Sequence, residues 1–228
     1  MDVAVVIPAW NEQEPLPRVL AALPGGIRRV LVVDNGSTDG TADAARHGGA
    51  EVIHEPRRGY GSACLAGIAA LAGDPPAVVV FLDADFSDSP GELPRLLEPI
   101  AAGRAELVIG SRILGRSERR ALLPQARFGN WLATRLIRVL TGVRFTDLGP
   151  FRAIRYPTLQ GLGMRDTGFG WTVEMQMRAA LGGVRSAEVP VSYRRRIGRS
   201  KITGTVSGTF AAGAKILWTI AKLRMGFR

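Results

Sequence analysis

The sequence predicts an α/β fold, a mostly parallel sheet flanked by helices and followed by a C-terminal amphipathic helix. Three observations carry this expectation. Apolar runs alternate with helix-periodic segments as far as Gly110, the pattern of repeated β-α units. The run Ala77-Val78-Val79-Val80-Phe81-Leu82 is continuously apolar, as a strand covered on both faces must be. Acidic and glycine-containing turns follow the runs at their carboxyl ends, where open α/β sheets collect ligands.

Strands are expected at residues 3–9, 30–33, 51–54, 77–82 and 107–110, with helices at 14–23, 41–47, 61–72 and 92–102 between them. Asn35-Gly36-Ser37-Thr38-Asp39-Gly40 offers turn residues, then Ser37 or Thr38 as the cap of the second helix. Asp88-Ser89-Pro90-Gly91-Glu92 places a cap and a proline at the entry of the fourth. Beyond Ser111 the regular alternation stops. A helix is expected at 125–140, with Phe128, Leu132, Leu136 and Leu140 at helical spacing, then a helix at 172–181 and a strand at 184–193.

The 228 residues suit one large domain. A single cysteine, Cys64, excludes an internal disulfide, and with only His47 and His54 beside it a Cys/His zinc site is excluded too. No basic segment or long apolar stretch opens the chain, so a cytoplasmic body is expected. The net charge of +10 divides unevenly, −7 over residues 1–100 and +17 over 101–228. An acidic half able to hold a cation therefore precedes a basic half that attracts anions.

Residues 206–223 form the last helical pattern. Val206, Phe210, Ile216, Leu217, Ile220 and Leu223 share one broad face, opposite Lys215, Thr219 and Lys222. Such a face lies in a membrane interface with cations reaching acidic headgroups, or docks on the protein core. Interfacial docking is the expectation taken forward. Lys215 interrupts the segment, which argues against a transmembrane helix.

Asp83-Ala84-Asp85 sits at the end of the fourth strand. Alone, the triplet reads as helix-capping acids; beside other site motifs, it reads as a holder for a divalent cation that neutralises a departing diphosphate. The companions are Pro8-Ala9-Trp10-Asn11-Glu12, Asp34-Asn35-Gly36-Ser37 and Gly110-Ser111-Arg112, in order on successive strand ends. Together the four resemble the family 2 glycosyltransferases of the GT-A fold. The resemblance covers nearly the whole chain, with a GT-A domain at 1–204 and the amphipathic helix at 205–228. Val189-Pro190-Val191-Ser192-Tyr193 with its following cations, Thr146-Asp147-Leu148-Gly149-Pro150-Phe151-Arg152 and Gly168-Phe169-Gly170-Trp171-Thr172-Val173-Glu174 are similar to the polyprenyl-phosphate branch, whose members transfer mannose or glucose to a lipid-linked phosphate.

The resemblance implies a UDP- or GDP-sugar donor, a polyprenyl phosphate acceptor, Mg²⁺ or Mn²⁺, and peripheral membrane association, with no nucleic acid as partner. It places the nucleoside against Pro8, Trp10, Glu12 and Asp34. Asn35 stands where a second aspartate is often seen, which leaves the base open. Asp85 is the first choice of metal ligand, with Asp83 joining it or contacting ribose. Ser87 replaces a glutamine common in that branch, so Asp88 or water would complete the shell. Arg112 is expected to grip phosphate in a bidentate fork. Arg194, Arg196, Ser200 and Lys201 are expected in a loop that closes over phosphates. The loop Arg57-Arg58-Gly59-Tyr60-Gly61-Ser62 does not match a dinucleotide fingerprint and is expected to line the site, its small residues letting backbone N–H groups approach phosphate.

Two rival readings stay open. With a soluble hydroxyl acceptor, a general base is required and Glu174 or Asp147 would supply it. A phosphate acceptor is already anionic, and Glu174 would then orient an arginine or the acceptor loop. A non-catalytic module binding anions or membrane through the basic half is the other rival.

Overall fold

A computed structural model of the protein describes residues 1–118, 121–198 and 206–226. In chain order, β1 (Val3–Ala9), α1 (Leu16–Ala21), β2 (Arg29–Asp34), α2 (Thr41–His47), β3 (Glu51–His54), α3 (Tyr60–Ala70) and β4 (Val78–Phe81) form β-α units. A 3-10 turn at Pro90–Glu92 leads into α4 (Leu93–Ala101) and β5 (Leu107–Ser111). The rest comprises α5 (Pro124–Thr141), β6 (Arg152–Arg155), α6 (Tyr156–Leu162), α7 (Trp171–Leu181), β7 (Ser186–Pro190) and α8 (Val206–Gly226).

The seven strands make one sheet in the order β3-β2-β1-β4-β6-β5-β7. All neighbours are parallel except β6, which runs antiparallel to both β4 and β5. The sheet is thus mostly parallel, as expected, and its helices cover both faces. One layer packs Leu31, Phe81 and Trp171 with α3, α5, α7 and α8. The other packs Val5, Ile7 and Val80 with α1 and α4. Phe81 and Trp171 meet edge to face at 5.8 Å between ring centroids, a favoured aromatic geometry.

β6 and α6 are absent from the expectation. Arg152-Ala153-Ile154-Arg155 carries a cation at each end, a pattern that does not announce a buried strand. Arg152 is fully buried nonetheless. Its guanidinium donates to the carbonyls of Leu148, Gly149 and Thr172, and burial pulls its pKa down to about 10.

Two local expectations change. Ser37 and Thr38 do not cap α2, whose cap position is Gly40 with no side-chain bond. Both hydroxyl residues turn to Asn11 instead: Ser37 Oγ accepts from its N–H at 2.9 Å, and Thr38 N–H donates to its Oδ1 at 2.8 Å. Asp39 Oδ1 accepts the Thr41 N–H at 3.0 Å. On α5 the buried stripe is Ala133, Thr134 and Ile137, with Leu136 and Leu140 partly buried. Phe128 faces outward at 62% exposure.

The C-terminal helix also differs from expectation. α8 packs against α5 and α7, and Ile220 and Leu223 are buried in the core with Ile216 packed beside them. Thr219 is buried on this face and donates to the Lys215 carbonyl, while Leu217 is exposed. The apolar face of 216–223 therefore docks on the protein, because α5 and α7 leave apolar surface that it covers. Lys215 pairs with Asp166 at 2.9 Å. The side chains of Val206 and Phe210 lie outside the described residues. Among the described residues no helix is long and apolar enough to cross a membrane.

Candidate active site

A cavity of about 460 Å³ opens at the carboxyl ends of β1, β2 and β4. Register places it there: Ala9 pairs with Asp34, and Val6 with Phe81. Pro8, Trp10, Glu12, Asp83, Asp85 and Arg196 all line it. The structure thus brings together residues expected from three separate segments.

Trp10 forms one wall and is 39% exposed, with the Arg58 guanidinium stacked 4.2 Å from its ring centroid. Glu12 is buried and accepts from Arg196 Nη2 at 2.8 Å. Arg196 Nη1 lies 3.4 Å from Asp85 Oδ2, and Asp85 Oδ1 accepts the Ser87 N–H at 2.9 Å. One guanidinium therefore bridges carboxylates from the turns after β1 and β4. Asp83 is partly buried, and desolvation followed by the neighbouring Asp85 charge pushes it up to about 7. Its Oδ1 has no hydrogen-bond partner among the described residues.

These two carboxylates suit a hard divalent cation, which takes oxygen ligands. Among the described residues, no three His, Cys, Asp or Glu side chains gather into a complete ligand set. Phosphate and water oxygens would therefore supply the remainder. Asp88 does not line the cavity; it is buried behind the acid turn, and neither carboxylate oxygen has a partner among the described residues.

Asp34 lies just outside the lining. It is buried, with Oδ1 accepting the Ser37 N–H at 3.0 Å and Oδ2 3.5 Å from His54 Nδ1. Asn35 faces the cavity in its place. Its amide donates to the Glu55 and Arg57 carbonyls at 2.9 and 2.7 Å and accepts the Gly59 N–H at 2.8 Å. An aspartate could accept the last of these and could donate neither of the others, which explains the amide.

The loop after β3 does line the cavity, through Arg58, Gly59 and Tyr60. Its backbone N–H groups point elsewhere: Gly61 donates to Gly168 and Ser62 to Thr167. The small residues serve that approach. Gly59 has φ +144, and a Cβ at Gly59 or Gly61 would run into the Thr167 or Asp166 carbonyl.

Arg112, Asp147 and Glu174 lie outside the cavity lining. Arg112 makes a bidentate pair with Asp147, Nε to Oδ2 at 2.8 Å and Nη2 to Oδ1 at 2.7 Å, and its own N–H donates to Oδ2 at 2.8 Å. Burial disfavours the Arg112 charge, but Asp147 outweighs it and holds the guanidinium above its ordinary value. Glu174 accepts the Arg165 and Asp166 N–H groups and pairs with Arg178 at 2.8 Å. It organises the loop that leads to Phe169, another lining residue.

The cationic segment after β7 is laced onto the acid turn. Arg194 N–H donates to the Ser87 carbonyl at 2.9 Å and Ile197 N–H to the Asp85 carbonyl at 3.0 Å. The Arg194 guanidinium donates to Ser89 Oγ at 2.7 Å and stacks on Phe86 at 4.5 Å. Ser200 and Lys201 lie outside the described residues. The expectation that the loop at 57–62 lines the cavity agrees with the positions of Arg58 and Tyr60, whereas Phe169 was not expected there although its motif was visible. Which side of a loop faces the cavity is decided by the segment packed behind it.

The sheet order, the acid turn after β4 and the cavity beyond the strand ends define a GT-A glycosyltransferase fold. The family model for glycosyl transferase family 2 matches residues 4–163. The chain belongs to that family and is a glycosyltransferase. It is 43% identical over 212 residues to an uncharacterised glycosyltransferase of Mycobacterium tuberculosis, covering 92% of this chain and 94% of the relative. Identity to the undecaprenyl-phosphate mannosyltransferase of Micrococcus luteus is 33%, covering 99% and 100% of the two chains. The dolichyl-phosphate hexose transferase of Haloferax volcanii is 36% identical, with 97% and 93% covered. Among solved structures, glucosyl-3-phosphoglycerate synthase from Mycobacterium tuberculosis, in complex with Mn²⁺, UDP and glucosyl-3-phosphoglycerate, superposes with a TM-score of 0.75. Its identity is 22%, with 97% of this chain and 79% of that one covered.

Proposed function

We propose that this glycosyltransferase moves a hexose, glucose or mannose, from a UDP- or GDP-sugar to polyprenyl phosphate with inversion at the anomeric carbon. The observation that carries the reading is the bridge from Glu12 through Arg196 to Asp85 at the floor of the cavity. It sets a guanidinium, a group suited to phosphate, beside a carboxylate suited to a divalent cation. The naming of the full-length relatives for transfer to undecaprenyl and dolichyl phosphate supports the acceptor class.

In this reading Pro8, Trp10 and the Asn35 loop receive the nucleoside, and Asp83 and Asp85 would hold Mg²⁺ or Mn²⁺. The bound cation supplies charge neutralisation for the departing diphosphate. Arg196, 3.4 Å from Asp85, would add a second positive charge for that diphosphate, and Arg194 keeps its segment on the acid turn. The acceptor phosphate is already an anion, so its oxygen attacks without a general base. Glu174 and Asp147 are each committed to arginine and backbone partners, which favours this reading over a hydroxyl acceptor.

The test is a donor panel. Protein and Mn²⁺ are incubated with UDP-glucose, UDP-galactose and GDP-mannose, with and without polyprenyl phosphate, and released nucleotide is measured. Release that depends on the lipid phosphate is expected. Asp85→Ala is expected to lower it by about 100-fold or more, the scale of losing a group that stabilises developing charge. Full activity in that variant would overturn the site assignment.

A further inference from the structure

The outward faces of α5 and α8 carry an unusual pairing of residues. Phe128 and Trp131 are 62% and 54% exposed and lie 5.8 Å apart between ring centroids, and Trp218 on α8 is 61% exposed beside exposed Leu217. The two helices pack on each other in one layer of the fold, so these faces turn away from the sheet together. Exposed aromatic clusters mark interaction sites. Neither helix contains an aspartate or glutamate, while Arg127, Arg135 and Lys222 share the exposed surface with the aromatics.

We infer that this face docks on an anionic lipid bilayer. The charge pattern selects the occupant: cations without acids attract anionic headgroups, and tryptophan prefers the headgroup boundary, where its ring is apolar and its N–H stays wet. The apolar side of α8 is spent on the core, so the opposite side of that helix, together with α5, meets the membrane. This inference rests on the lipid-linked acceptor reading and locates the surface from which the enzyme reaches it.

Binding is measured without donor or acceptor, so its failure leaves the nucleotide-release assay standing. Full-length protein is sedimented with vesicles of phosphatidylcholine alone, or of phosphatidylcholine and phosphatidylglycerol in equal parts. Binding to the anionic vesicles is expected, with quenching of tryptophan emission by brominated lipid. Phe128→Ser with Trp131→Ser is expected to weaken binding by about 10-fold or more, as loss of buried aromatic surface from an interfacial helix should. Arg127→Glu with Lys222→Glu should do likewise, and Arg46→Glu, exposed on α2, should change nothing. Unaltered melting temperatures establish that the outward-facing variants are folded. Equal binding by the Phe128/Trp131 variant, or equal loss in the Arg46 control, overturns the inference. So does a vesicle-free dimer that this variant abolishes, since the face would then belong to a second copy of the chain.

Discussion

Replacing Asp147 with alanine tests whether Arg112 is a strut or a ligand-binding group. Asp147 is fully buried and the Arg112 side chain is 13% exposed, with two bonds between the side chains and a third from the Arg112 backbone. Alanine leaves a guanidinium in a dry site with its charge uncompensated and a backbone N–H unpaired. Removal of one partner of such a pair costs about 3–5 kcal/mol. Total stability for a domain is about 5–15 kcal/mol, so the loss is a large share of it. Urea denaturation followed by circular dichroism reads this as a lowered midpoint. Pairing Asp147→Leu with Arg112→Met should recover most of the stability, because apolar groups of similar volume replace a buried pair at little cost. A loss below about 1 kcal/mol, the scale of an exposed pair, would refute the reasoning. Arg112 would then be available for phosphate, as its position after β5 first indicated.

Other substitutions probe other parts of the site. Asn35→Asp turns two donated bonds into carboxylate oxygens facing the Glu55 and Arg57 carbonyls; a stability loss of about 2 kcal/mol or more is expected in urea titrations. Gly61→Ala drives a methyl into the Asp166 carbonyl and should cost about 1–3 kcal/mol, read as a lower Tm together with weaker donor binding by calorimetry. Burial raises the Glu188 pKa above its ordinary value, against the opposing N–H groups of Thr146 and Asp147. A raised carboxyl favours folding fully below its unfolded pKa, and that contribution is lost as pH rises through the folded value. The stability of the wild type relative to Glu188→Gln should therefore fall as pH rises from about 4.3, the unperturbed glutamate value; a flat difference counts against the assignment.

Much of the architecture is legible without coordinates. The strands at 3–9 and 51–54 and the helix at 41–47 coincide with β1, β3 and α2, because apolar runs and helical periodicity are local signals. β6 escaped because its buried end is an arginine, satisfied by carbonyls from the 146–152 motif and α7. No local pattern announces such a partner. The site divides in the same way. Pro8, Trp10, Glu12, Asp83 and Asp85 were nameable because their motifs follow strands and resemble those of the family, and strand ends face one side of a parallel sheet.

The sequence by itself determined the family, the order of β-α units, the acid turn after the fourth strand and the cationic segment after the last. Tertiary structure alone decided how the charges pair. Arg112 goes to Asp147, Arg178 to Glu174, and Arg196 to Glu12 and Asp85. It also decided that the apolar side of α8 meets the core, leaving the aromatics of α5 and α8 outside. The physical reason is common to both. Periodicity reports that a side chain belongs to a face or a strand end, but a charge or an apolar stripe finds its partner across distant segments, and only packing brings those segments together.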